Sequence, residues 1–477
     1  MTHHLLHTTL VVAPLLFATA TRAAAQDDWH RFRGPAGSGV RDSVPAPIAI
    51  DEETTPTFRT EIPFGRSSPI VVGDTIVLTA SDDAHLLMCA VGTDGQRLWT
   101  RELERARPDA ERFKGNDSAS CTPASDGTRI YAFFPELGLV ALSLDGEVLW
   151  THELPAFDNF YGMSASPVVA GDRIVLQCDQ DRGSYVVAVD KETGEQAWRV
   201  ERPGVDASWS TPVVREVDGT TEVVLFSSRQ LLVLDAATGE ERRAFGRLGT
   251  GPVCSPLVDG SRAFACVKHH AEEPFPKFEQ VAAGFDKNQD GRIEKAEVVG
   301  TEVAEHFGWV DHDNDGALDA AEWQQAYDSM TNRDHGLVAF ALEGDTGSGS
   351  AQGDETANGE LWRYRRFLPD IATPIVYRDL IYLLKHGGVL AAIDVDSGDL
   401  VRRGRVGVID DFYASPVASH GHLYLASQSG ELVVVTAGAD WKVASTHDLG
   451  EAIEATPAIG GDGSIYVRTA AALYRFR

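Results

Sequence analysis

Lysine and arginine are scarce in this 477-residue chain, 42 against 71 Asp and Glu, for a formal net charge of −29. That balance argues against nucleic acid or an anionic membrane as the partner surface, because both demand dense positive charge. Cysteine is scarcer still: Cys89, Cys121, Cys178, Cys254 and Cys266 are odd in number and too few for a disulfide framework. Cys254 and Cys266 flank one expected hairpin and lie within reach of a bridge across it. Cys121 and Cys254, however, fill a repeat position otherwise held by Ala or Ser, where a free thiol serves as a small buried side chain. Beyond the N-terminus no run approaches the roughly 18 apolar residues of a membrane helix, so no transmembrane segment is expected.

The N-terminus carries the longest apolar run, Leu10 to Phe17, followed by Ala23-Ala24-Ala25 before Gln26. This is the pattern of a secretory signal over residues 1–25, although His3, His4 and His7 stand where Lys or Arg is usual. No Cys follows the apolar core, so a lipid anchor is not expected. The mature chain is expected to be exported, periplasmic or extracellular.

At this length the chain is either several domains or a repeat, and a repeat is present. Ser/Thr-Pro recurs at Ser68, Thr122, Ser166, Thr211, Ser255, Thr373, Ser415 and Thr456, with steps of 54, 44, 45, 44, 118, 42 and 41 residues. A period of 40–50 residues signals a propeller or solenoid. The long step is one repeat plus an insertion (118 − 44 = 74). After each Pro comes a short strand, usually a tight Gly/Asp turn, and a β-branched or aromatic strand, as in "PVVAGDRIVLQC". A third strand ("YVVAVD", "LLVLD", "VLAAID") precedes a turn such as Lys191-Glu192-Thr193-Gly194. A fourth often carries Trp, at 99, 150, 198, 362 and 441; once per repeat in a fixed slot, these residues pack between blades rather than form a stacking surface. The expected fold is therefore all-β: an eight-bladed β-propeller of four-stranded antiparallel blades spanning 26–477. The last repeat stops after its third strand, "AALYRFR"; "TPTFRTEIP" near the N-terminus is expected to complete it, with Phe58 in the Trp slot.

The Asp-x-x-x-Gly turns (Asp190 to Gly194, Asp235 to Gly239, Asp394 to Gly398) and docking Trp residues resemble the pyrroloquinoline-quinone-type (PQQ-like) propeller repeat. The opening "DWHRFRGPAGSGV" is similar to the start of secreted bacterial propellers of that group. The resemblance implies the fold; its function is open, because the repeat occurs in dehydrogenases and in non-enzymatic scaffolds alike. Quinone-dependent dehydrogenases of this fold resemble one another in an adjacent Cys-Cys pair, which is lacking here. The leading expectation is thus a non-catalytic binding or assembly propeller with no stoichiometric quinone and a protein or small ligand at its face. A quinoprotein dehydrogenase using the channel is the alternative. Arg66, Trp209, Asp411, Phe412 and Tyr413, just before Ser/Thr-Pro pairs, are candidates to line one channel mouth or to pack structurally.

Over 270–335, within blade five, the strand pattern gives way to helical spacing around two twelve-residue loops, the pattern of an inserted EF-hand pair. Calcium takes six to eight hard oxygens. Positions 1, 3 and 5 supply them from Asp286, Asn288 and Asp290, and from Asp311, Asp313 and Asp315. Gly291 and Gly316 permit the sharp turn. Arg292 and Ala317 contribute backbone carbonyls, leaving their side chains free to vary; Glu294 and Asp319 act through water. Glu297 and Glu322 close each shell as bidentate ligands, and Ile293 and Leu318 join the loops in a short two-stranded contact. Two calcium ions per chain are expected. Helices are anticipated in "PKFEQVAAGF", "KAEVVGTEVAEHFGWV" and "DAAEWQQAYDSM". His269-His270 has no partner at zinc-like spacing, and "GSGSAQGDETANG" is a loop by composition.

Overall fold

Alternating apolar strands separated by Gly/Asp turns pair with their sequence neighbours, and the result is a ring of eight four-stranded antiparallel sheets. The computed structural model describes residues 29–107, 116–268, 275–313, 315–331, 334–343 and 359–477. The expected signal segment (1–25), Gln26, His269-His270 and all of the 347–359 loop but Gly359 lie outside the described residues. Blade one comprises Ile70–Val72, Thr75–Ser81, Leu86–Gly92 and Arg97–Leu103, innermost to outermost, and the later blades repeat that order. Second and third strands are almost wholly buried, whereas fourth strands alternate or face water, as in Glu241–Phe245. Apolar clusters sit between consecutive blades rather than in one central core.

The ring closes as the sequence suggested. Phe58–Glu61 pairs antiparallel with Ala472–Phe476, register Phe58↔Arg475 to Glu61↔Ala472. This supplies blade eight with its fourth strand and covers the edge of Ala472–Phe476. Arg468, fully buried in blade eight, locks the seam by donating from Nη1 to the Ser67 carbonyl (3.0 Å), Ser67 Oγ (2.6 Å) and the Thr79 carbonyl (2.8 Å) of blade one. Burial lowers its guanidinium to about 10.

The Ser/Thr-Pro pairs have a role that periodicity alone did not reveal. Each hydroxyl oxygen accepts the backbone N–H of the equivalent residue one blade earlier: Ser68 to Thr122, Thr122 to Ser166, and onward until Thr456 donates to Ser68. Eight bonds of 2.9–3.1 Å thus form a closed belt around the channel. These amides are buried without a strand partner, so a hydroxyl at every copy satisfies a donor that would otherwise be costly. The small residues before each pair are all buried, consistent with crowding around the channel.

Docking tryptophans behave as expected in four blades. Trp99, Trp150, Trp198 and Trp362 each donate from Nε1 to a turn carbonyl of the next blade, those of Leu144, Lys191, Ala236 and Val395. Each ring lies on the turn glycine: a Cβ on Gly239 would stand 2.7 Å from Trp198 Cδ2. Phe58 does the same against Gly95. Trp441 departs from the expectation. It precedes its strand, Val443–Asp448, and packs backward on Gly404 and the Arg402 guanidinium of blade six. Ser445 holds the slot in register instead, and the N-terminal segment covers it through Ser445 Oγ to the Ile48 carbonyl at 2.8 Å.

Residues 29–46 cross the ring. Trp29 and His30 accept from Val71 and Ser125, Arg33 Nη2 donates to the Pro374 carbonyl (2.7 Å), Val40 bridges Ala418 in parallel, and Arg41 Nη1 reaches the Ile459 carbonyl (3.2 Å). These contacts touch the inner strands of blades one, two, six, seven and eight, so the segment plugs one end of the channel. Arg33 is fully buried there, and desolvation lowers it to about 9.

Candidate functional site

Two regions of chemistry emerge at the end of the ring opposite the plug: the inserted loops and the open channel mouth. The insertion leaves blade five between its second and third strands, Arg262–Val267 and Gly336–Ala341. It contains three helices, α1 (Phe278–Phe285), α2 (Glu302–Val310) and α3 (Ala320–Thr331), around its own apolar core of Val281, Ile293, Phe307, Val310, Leu318 and Trp323. α2 starts later than anticipated, with Lys295–Thr301 forming turns. Ile293–Glu294 pairs antiparallel with Ala317–Leu318, register Ile293↔Leu318, joining the two loops back to back.

Each loop is wound by its own acidic side chains. In the first, Asp286 Oδ2 accepts from Gly291 N (3.0 Å), Asn288 Oδ1 from Asp290 N (2.9 Å) and Asp290 Oδ1 from Arg292 N (2.9 Å). Glu297 accepts from Lys287 N (2.7 Å) and Glu294 N (3.0 Å). The second repeats the plan: Asp311 Oδ2 accepts from Gly316 N, Asp313 Oδ1 from Asp315 N, Asp315 Oδ1 from Ala317 N, and Glu322 from His312 N and Asp319 N. Gly291 and Gly316 have φ of +87° and +86°, the left-handed turn that favours glycine.

The remaining oxygens bear on a metal. Oδ1 of Asp286 and Oδ1 of Asp311 are buried and have no hydrogen-bond partner in the protein. Asp311, Asp313 and Asp315 bring carboxylate oxygens within 4.8 Å of one another. Glu294 is pushed above its ordinary range, first by a hydrogen bond shared with Glu297 and then by burial. Converging hard oxygens, two of them buried and unmatched, fit a calcium-sized cation. The Arg292 side chain, which the sequence left free to vary, reaches across to the Asp315 carboxylate and the Ala317 carbonyl (3.3 Å), holding Asp315 below its usual range.

At the channel mouth, Arg66 pairs with Asp117 (3.3 Å) and with Glu454, which also accepts from Gln428 (3.2 Å). A cleft of about 210 Å³ opens there between Phe64, Arg66, Glu454, Arg468 and Thr469. Burial raises Asp117. Trp209 lies at the rim, its Nε1 donating to the Gly162 carbonyl (2.8 Å) and its ring edge-on to Tyr161. Asp411 is exposed and Tyr413 half-buried against His386. Phe412 is not at the mouth: it is fully buried in the core between blades six and seven, because the alternating chain turns it inward. The five cysteines are buried and free; Cys254 touches Cys266 without a bridge, and that contact together with burial raises the Cys266 thiol.

Arg182 had no signal in the sequence. On the loop between the second and third strands of blade three, it donates to the Asp311 and His312 carbonyls of the inserted second loop.

The sequence family described as Outer membrane protein assembly factor BamB matches residues 40–160 and 156–245, together less than half of the chain. No curated protein matches in sequence. Among solved structures, BamB from Moraxella catarrhalis is 11% identical over 88% of this chain and 98% of its own, with a TM-score of 0.52. A quinohemoprotein alcohol dehydrogenase from Pseudomonas putida HK5 is 12% identical over 96% and 82%, TM-score 0.59. Another from Comamonas testosteroni is 14% identical over 95% and 81%, TM-score 0.55. The partial family match and these likenesses support a PQQ-like propeller, and at such identities the structures speak for the fold alone. Among the described residues no helix is long and apolar enough to cross a membrane.

Proposed function

We propose that this chain is an exported propeller that binds two calcium ions in its inserted EF-hand pair and offers its face as a non-catalytic binding or assembly surface. The observation behind the calcium reading is the pair of buried, unmatched Oδ1 atoms on Asp286 and Asp311, each at the first position of a twelve-residue loop. Asp286, Asn288, Asp290, the Arg292 carbonyl, Glu294 and Glu297 would hold one ion. Asp311, Asp313, Asp315, the Ala317 carbonyl, Asp319 and Glu322 would hold the other. The ions supply positive charge among crowded carboxylates and a fixed geometry for the ends of α1, α2 and α3. Export is supported by the apolar run Leu10–Phe17 ahead of Ala23-Ala24-Ala25. Extracellular calcium modules bind with Kd around 10⁻⁴–10⁻³ M, so millimolar calcium outside the cytoplasm fills even weak sites.

Calorimetric titration tests this reading. Two ions should bind the wild type, Glu297→Gln and Glu322→Gln should each weaken one site, and the double variant should lose binding in the insert. Unchanged stoichiometry in the double variant refutes the assignment.

The scaffold reading is supported by the partial match to a family described as an assembly factor and by the lack of an adjacent Cys pair. The quinone-dependent alternative is supported by its fold likeness. Reconstitution with quinone and calcium, assayed on alcohols and aldoses, should give no turnover. Robust turnover would favour the dehydrogenase.

A further inference from the structure

We infer that Arg182 is the positioning residue through which calcium in the second loop orders the rim of blade three. The inference rests on the calcium reading above and concerns what the bound ion controls.

Arg182 and the second loop lie about 130 residues apart in sequence, yet Arg182 Nη1 donates to the carbonyls of Asp311 (3.1 Å) and His312 (3.3 Å). Asp311 is the first residue of the loop. One of its carboxylate oxygens is buried and unmatched, and the other winds the loop onto Gly316 N. An ion gripped by that carboxylate therefore fixes the backbone that presents the two carbonyls. These carbonyls also lie at the C-terminal end of α2, where the helix dipole favours a cation.

The opposite edge of the guanidinium leads into the rim. Arg182 Nε pairs with Asp158. Asp158 is tied to the Arg182 loop by Asp181 N to its carbonyl (2.7 Å) and by its own N to Gln180 Oε1 (2.9 Å). Phe160 N then donates to Asp181 Oδ2 (3.0 Å). The segment so anchored presents Phe160 and Tyr161, exposed by 52% and 48%, with Tyr161 packed edge-on to Trp209. A planar, permanently charged fork suits this bridge because it holds both edges in one rigid plane. Repulsion between Arg182 and a divalent ion opposes the coupling. Asp158, bonded to the guanidinium, and Asp181 beside it offset that charge, leaving loop geometry as the larger effect.

Coupling between two sites is reciprocal. If the ion orders the carbonyls for Arg182, Arg182 favours the ion by the same factor. In the full-length protein, Arg182→Ala should weaken calcium at the second site about fivefold, the lower end of ordinary coupling, and leave the first site unchanged. In the wild type, calcium should slow amide exchange at 157–162 and 179–184. In Arg182→Ala those segments should stop responding, whereas 286–322 still responds. Asp158→Asn, which keeps the carbonyl contacts but loosens the rim, should retain the affinity and lose the rim response. An unchanged second-site affinity in Arg182→Ala, a rim that ignores calcium in the wild type, or a full rim response in Asp158→Asn overturns the inference. A wild type that takes up no calcium overturns the calcium reading itself.

Discussion

Replacing Thr211 by Val removes one hydroxyl from the belt while nearly preserving shape. Thr211 Oγ1 accepts the Ser166 N–H at 3.0 Å, and both residues are buried, exposed by 6% and 3%. Thr211's own N–H keeps its bond to Ser255 Oγ, so the variant strands a single donor. Leaving a buried N–H unmatched costs about 1–3 kcal/mol, whereas a net hydrogen bond is worth about 1 kcal/mol. The expected loss is therefore about 1–3 kcal/mol for Thr211→Val. Thr211→Ser keeps the acceptor and drops only a methyl, for about 1 kcal/mol or less. Thr456 serves Ser415 on another part of the ring without sharing a partner with Thr211. The double variant Thr211→Val with Thr456→Val should thus lose the sum of the two single losses to within about 0.5 kcal/mol. Chemical denaturation is the assay, with unfolding rates compared where refolding is incomplete. Thr211→Val and Thr211→Ser of equal stability would show that water satisfies the amide and that the belt is not what selects the hydroxyl.

Gly239→Ala should destabilise by about 2–5 kcal/mol, the left-handed φ of +76° adding to the 2.7 Å overlap with Trp198. Gly219→Ala, at φ +79° with nothing within 4 Å, should cost only the backbone share of about 1–2 kcal/mol, and equal losses by denaturation would contradict Trp docking. Hydrogen bonds from the Ser397 amide and hydroxyl hold Asp394 below its ordinary carboxylate range. A depressed folded pKa contributes stability above the unfolded value, near 3.9, that is lost as pH falls through the folded value. Asp394→Asn should therefore flatten the acid limb of a stability–pH curve below about pH 4, and an unchanged limb refutes the assignment. Deleting residues 29–61 removes both the plug and the closing strand, exposing the edge of Ala472–Phe476. Aggregation is expected on size-exclusion chromatography, and a soluble monomeric ring would contradict the closure.

Local chemistry made much of this protein legible without coordinates. The strand–turn–strand period, the Gly turns and the truncated last repeat specify eight blades and a closing strand, because each blade pairs neighbours in sequence and only one junction is distant. The oxygen-bearing loops of the insert were equally readable, since their side chains wind their own backbone within twelve residues.

What the tertiary structure decided lies between blades. A recurring Ser/Thr marks a position, but only the ring shows that each hydroxyl meets an amide more than 40 residues away. Trp441 was grouped with the other tryptophans, yet pairing puts Ser445 in their slot and leaves Trp441 four residues earlier, where it packs backward on Gly404. Phe412 and Tyr413 are neighbours in the connection between strands Leu400–Arg405 and Val417–Ser419, yet the seam between blades six and seven buries one and leaves the other half-exposed. Arg33 and Arg182 look like ordinary surface arginines in the chain. One is buried in the channel by a segment that crosses the ring, and the other becomes a bridge because an insertion from blade five folds over onto blade three. Contacts of that range depend on where the blades stand around the closed ring, which no local run of residues encodes.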